Sequence, residues 1–135
     1  MEGYRGKTVR MEDGSVFKIF RHMHVETEDR IARGSIFIVR FKFKRFGHSV
    51  NMQLSKIPVL LIAGFPGFRD KIWMIDWETG YWQGVYQFEN AEAIENYKKS
   101  FILARMNKRA VSNTISYRIL PGKKIHDYFS GAVVD

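Results

Sequence analysis

The sequence has no cysteine, only three prolines, and no apolar run long enough to cross a bilayer. Without cysteine there are no disulfides, thiol nucleophiles or thiolate metal sites, and the composition suits a reducing compartment. The longest uncharged stretch runs from Ile57 to Phe68 and is interrupted by Pro58, Gly64, Pro66 and Gly67. A spanning helix needs roughly 20 apolar residues. The N-terminal residues MEGYRGKTVRMEDGS lack the apolar core of a secretory signal. The expectation is a soluble, cytoplasmic protein whose contact with membrane is at most peripheral.

The composition is otherwise globular. Of 135 residues, 45% are hydrophobic and 27% charged, enough for one domain with a real core. Aromatics reach 15%, with 11 Phe, 6 Tyr and 3 Trp. Each buries a large area, so a small domain this rich in them has a bulky core, a lined pocket or an interface. The net charge is +8. Residues 1–34 nearly balance their charges, so the excess lies in residues 35–135 and favours anionic partners without choosing among them.

Along the chain the pattern divides at about residue 35. Asp13-Gly14 between Lys7–Met11 and Ser15–Val25 predicts a hairpin, with Phe17, Ile19, Met23 and Val25 as its apolar positions. The charged segment Glu26–Gly34 reads as a linker, so 1–34 is an N-terminal extension. Ser35–Phe43 is apolar at both alternations, as in a strand covered on both faces. Val50, Leu54, Ile57 and Leu61 then recur at helical spacing behind Ser49 as N-cap, with a kink expected at Pro58. Phe68–Asp76 and Tyr81–Phe88 flank Trp77-Glu78-Thr79-Gly80, a hairpin signal. Asn90 caps a helix predicted to run to Met106 with Ile94, Tyr97, Phe101 and Ala104 buried. Val111–Leu120 is the last strand, stopped by Pro121-Gly122, and 123–135 is a peripheral tail.

This order predicts an α+β, ferredoxin-like β-α-β-β-α-β sandwich over residues 35–122, with a four-stranded antiparallel sheet and two helices on one face. The other face, apolar and without a helix, implies a partner, and a second copy of the chain is the expected one, giving a dimeric α/β barrel.

The run Gly67–Tyr97 carries Lys71-Ile72-Trp73, Glu78-Thr79-Gly80, Gly84-Val85-Tyr86-Gln87-Phe88 and Ala93–Tyr97. It resembles the YdhR-like monooxygenases of the dimeric α/β-barrel superfamily. Val39–Arg45 and Ser116-Tyr117-Arg118 extend the likeness to about residues 35–120. The resemblance implies a pocket between sheet and helices, where related enzymes oxidise aromatic, polyketide-like substrates without metal or flavin. No cofactor is therefore expected. Such chemistry needs an apolar aromatic cavity, a cation or donors near the developing anion, and a base. The residues offered to it are Trp73 and Tyr86 as catalytic lining, Arg69 as a cation and His48 as a base, an imidazole titrating near pH 6.5. Arg40 and Tyr97 are offered to substrate binding. Each also has a structural reading, as core, rim charge or solvated strand end.

Other readings are weaker. Some relatives break down haem through a helical histidine, and neither predicted helix contains one. His22, His24 and Glu26 share one side of a strand in metal-ligand register, but a solvated face is the simpler account, and no metal is expected. Gly64-Phe65-Pro66-Gly67 lacks the flanking helices of an RNA-binding KH loop, and Tyr81–Phe88 lacks the basic-glycine pair of the RNA-recognition motif. Nucleic acid is kept only by the net charge. Lys56 and the apolar run after it are read as core helix and turn rather than membrane anchor. The alternatives to an enzyme are thus a non-catalytic dimeric small-molecule-binding protein and, further off, a basic nucleic-acid-binding module.

Overall fold

The computed structural model describes residues 4–25, 34–45 and 47–134. Of the expected linker Glu26–Gly34, residues 26–33, and with them Glu26, lie outside these residues. Six strands form one antiparallel sheet: β1 (Thr8–Arg10), β2 (Val16–His24), β3 (Ser35–Phe41), β4 (Phe68–Ile75), β5 (Trp82–Phe88) and β6 (Ser116–Pro121). Their spatial order is β1-β2-β4-β5-β3-β6, and the sheet curls into a half-barrel. The last four positions are the expected ferredoxin-like sheet. The N-terminal hairpin adds two strands beside β4, so the sheet has six strands and not four.

Sequence chemistry explains the local turns. Gly14 adopts a φ of 86° while Asp13 accepts the Ser15 amide at 3.0 Å, closing the β1–β2 hairpin. Gly80, at φ 82°, closes β4–β5. In β2 the register shifts between Ile19 and Arg21. This bulge sends Phe17 and Ile19 to one face and Phe20, Met23 and Val25 to the other, dividing the predicted apolar set.

Both predicted helices are broken. The first begins two residues early, as α1 (His48–Leu54) behind Gly47 instead of Ser49, and restarts as α2 (Lys56–Ala63). The break falls at Ser55 rather than Pro58, because proline has no amide hydrogen to donate to the carbonyl four residues before it, that of Leu54. Pro58 then occupies the first turn of α2, where its missing amide hydrogen costs nothing. The second becomes α3 (Ala91–Lys98), capped by Asn90 accepting the Ala93 amide at 2.9 Å, and α4 (Phe101–Arg109). Ser100 makes the break by accepting the Leu103 amide and donating to the Tyr97 carbonyl at 2.6 Å. The new phase buries Ile102 and Leu103 and leaves Phe101 61% exposed, against the single predicted stripe, with Ala104 also outside. Before β6, Ser112–Thr114 form a 3-10 turn, so the last strand is shorter than expected.

Alternation divides the core in two. Phe37, Val39, Phe41, Ile75, Trp82, Tyr86 and Phe88 face the helices. Ile36, Ile38, Ile72, Met74 and Val85 face the other way. That second face is not bare. It packs with Val9, Phe17 and Ile19 of the N-terminal hairpin and with Ile125 and Phe129 of α5 (Ile125–Phe129). The predicted peripheral tail is therefore a core element, and the apolar face from which dimerisation was inferred is covered by the chain's own ends. No helix among the described residues is long and apolar enough to cross a membrane.

Candidate functional site

Between the helix-facing side of the sheet and α1, α2 and α4 lies a cavity of about 320 Å³, at the lower end of the size range of small-molecule sites. Its floor is built by alternation. In β4, Lys71, Trp73 and Ile75 point toward the helices, and the register sets Lys71 opposite Tyr86 and Trp73 opposite Gly84. Phe41, Phe43 and Trp82 form an aromatic end wall, and Ile62, Ile102 and Met106 close the helical side.

Lys71 is the buried charged group of the lining. It is only 7% exposed, and its Nζ lies 4.5 Å from the centre of the Trp73 ring and 4.4 Å from that of Tyr86. Cation–aromatic contact offsets part of the cost of burying an ammonium. Burial still depresses the group to about 7, with the nearby Arg21 guanidinium adding to the effect. Arg21 itself is held by Ser55 Oγ at 2.6 Å and the Met52 carbonyl at 3.2 Å, and lies 5.4 Å from the Trp73 ring centre.

Deeper in the cavity wall, Tyr97 donates to the Tyr86 hydroxyl at 3.0 Å. Burial pushes both phenols well up, so they remain neutral donors and acceptors at physiological pH. The lining also includes Arg105 and Arg109 and, among the described residues, no aspartate, glutamate or histidine. Among the described residues it is thus an apolar, aromatic chamber whose charged lining groups are all positive.

Of the residues selected from sequence, Trp73, Tyr86 and Tyr97 come together here. The other three lie elsewhere. His48 heads α1 behind the wall, where its Nδ1 accepts the Trp82 indole hydrogen at 3.0 Å. Its helical position corrects the expectation that neither helix carries a histidine, although no imidazole among the described residues lines the cavity. Arg69 pairs with Glu89 at 2.8 Å. Arg40 is on the opposite face of the sheet, bonded to Asp13 at 2.6 Å and Gln83 at 3.0 Å. Lys71, to which the sequence reading assigns no role, joins Trp73, Tyr86 and Tyr97, and its two-residue spacing from Trp73 is what puts it on that face.

His22 and His24 also lie on the second face, where both bond to Asp70 Oδ1, at 3.1 and 2.9 Å. No group of three or more potential ligands among the described residues is arranged to hold a metal.

A family model described as "Putative mono-oxygenase ydhR" matches residues 36–120. The chain belongs to the YdhR family. No curated protein matches it in sequence. Among solved structures, it is similar to a ferredoxin-fold protein from Listeria monocytogenes described as related to antibiotic biosynthesis monooxygenases, with a TM-score of 0.61 and 11% identity over 85% of this chain and 69% of that one. A haem-degrading enzyme from the same organism gives 0.61 and 12%, over 84% and 74%. An anthrone oxidase-like protein gives 0.58 and 12%, over 82% and 56%. At these identities the likeness establishes the fold. The YdhR segment spans β3 to β6 and so contains the whole cavity floor, while the N-terminal hairpin and α5 lie outside it.

Proposed function

We propose that this YdhR-family protein is a cofactor-independent monooxygenase acting on an aromatic or polyketide-like small molecule held between sheet and helices. The observation that carries the reading is the cavity itself, walled by Trp73, Trp82, Tyr86, Phe41 and Phe43, with a buried lysine in its lining. A planar aromatic substrate fits such walls by ring contact. The cationic lining favours the electron-rich anion that must meet dioxygen. In the overall reaction a ring methylene loses two hydrogens and gains one oxygen atom as a carbonyl. The second oxygen atom leaves as water, and the substrate supplies all the electrons.

The test is dioxygen uptake with a panel of hydroxylated polycyclic compounds, followed by mass spectrometry of products formed under ¹⁸O₂. Incorporation of one labelled oxygen supports the reading. Binding across the panel without uptake overturns it in favour of a non-catalytic ligand-binding protein.

The reading includes a homodimer. Its support is now the outer edge of β6, which has no strand neighbour among the described residues and presents Tyr117 at 39% exposure. Native mass spectrometry tests it: a dimer supports the assignment and a monomer removes it.

A further inference from the structure

Lys71 has no acidic partner among the described residues. Among the described residues no carboxylate pairs with it, and the cavity lining contains none. The groups around it are the Arg21 guanidinium from β2, the neutral phenols of Tyr86 and Tyr97 from β5 and α3, and Arg105 and Arg109 from α4. From the α1–α2 side come Leu54, Ser55 and Ile62, which carry no charge. A buried amine without a counter-ion is costly unless something else explains its presence.

The strand opposite is shaped for this side chain. A Cβ added at Gly84 would lie 3.2 Å from Lys71 Cε and 3.0 Å from Tyr86 Cε1. Glycine there leaves a channel for the lysine stem, which brings the amine between the Trp73 and Tyr86 rings at the cavity surface. The missing negative charge is therefore one that a ligand can bring.

We propose that Lys71 accepts the proton of an acidic hydroxyl on the bound ligand, a phenol or an enolised diketone, and then holds the resulting oxyanion as its counter-ion. The O–H bond breaks with its electron pair left on oxygen, and an N–H bond forms on Nζ, so a neutral pair becomes an ammonium–oxyanion pair. The aromatic walls accept a delocalised anion at small cost. Burial makes the free amine available near neutrality, since its ammonium form titrates at about 7. This step names the substrate class and the proton acceptor within the proposed function. It rests on that reading for the cavity as ligand site, but not on oxidation.

The probe is 4-nitrophenol, whose neutral and ionised forms absorb at different wavelengths. It is titrated into the full chain without oxygen, in buffer below the probe's own pKa, with quenching of tryptophan fluorescence reporting occupancy. Wild type is expected to show the phenolate band on binding. Lys71→Met is expected to bind the probe as neutral phenol, with the ionised fraction lowered roughly tenfold or more, equivalent to one unit in the bound probe's ionisation. A phenolate band that persists in Lys71→Met overturns the proposal, as does binding to wild type without ionisation or failure of wild type to bind. Ionisation without dioxygen uptake on the substrate panel would leave this inference standing and overturn the oxygenase reading instead.

Discussion

The Tyr97 hydroxyl donates to the Tyr86 hydroxyl at 3.0 Å, and both rings are fully packed within the helix-facing core. The pair joins α3 to β5, so it is a tie between layers as well as part of the cavity wall. Replacing either tyrosine by phenylalanine leaves the other's buried polar atom without this partner, at a cost of about 1–3 kcal/mol. The double variant should cost less than the sum of the singles, since neither orphan then remains. Urea unfolding of the three variants measures the coupling.

Lys71 makes stability depend on pH in a defined direction. Its folded-state value, about 7, is below that of an unfolded lysine, roughly 10.4. Below pH 7 the amine is charged in both states, and the folded state bears the full cost of burying it. Between the two values the unfolded chain binds the additional proton, so this group's contribution to stability rises with pH by at most about 1.4 kcal/mol per unit. Lys71→Met should therefore be more stable than wild type at pH 6, with the difference narrowing toward pH 10. Melting temperatures across that range decide it.

Gly84→Ala puts a methyl group against the Tyr86 ring and the Lys71 stem. The ring is locked in the core, while the lysine end has room to move, so Lys71 is the group expected to shift. The variant should fold with a loss of about 1–3 kcal/mol from overpacking, and its bound 4-nitrophenol should lose the phenolate band. Chemical denaturation gives the first quantity and absorbance the second.

His48→Ala separates a structural from a chemical histidine. The Trp82 indole hydrogen loses its acceptor in a buried setting, which costs about 1–3 kcal/mol. His48 does not line the cavity, so ionisation of a bound phenol should persist. Unchanged probe spectra with a lowered unfolding midpoint are the expected result.

Much of the fold was legible because strand alternation and turn chemistry are local. Asp13-Gly14, the Gly80 turn and the Asn90 cap are each formed as their residue types require. The helix breaks were harder. Nothing in the apolar spacing of 90–106 marks Ser100 as a second cap, because serine is tolerated within helices and the phase change appears only when Ile102 and Leu103 dock. The β2 bulge is equally invisible until β4 pairs with it. At the site, the aromatic residues were found because large rings in alternation must be buried. Lys71 is harder to read because lysine is usually solvated, whereas the odd–even position of Arg40 already puts it with Ile36 and Ile38 on the opposite face.

The family pattern of residues 36–120 ends where the protein still has work to do. Ile36, Ile38, Ile72, Met74 and Val85 are shielded by Val9, Phe17, Ile19, Ile125 and Phe129, which come from the two ends of the chain. The protein carries its own wrapper, and the inherited motif is smaller than the unit that folds. A fragment trimmed to the motif would present an oily slab to water and should clump, whereas the full chain has already put that slab indoors.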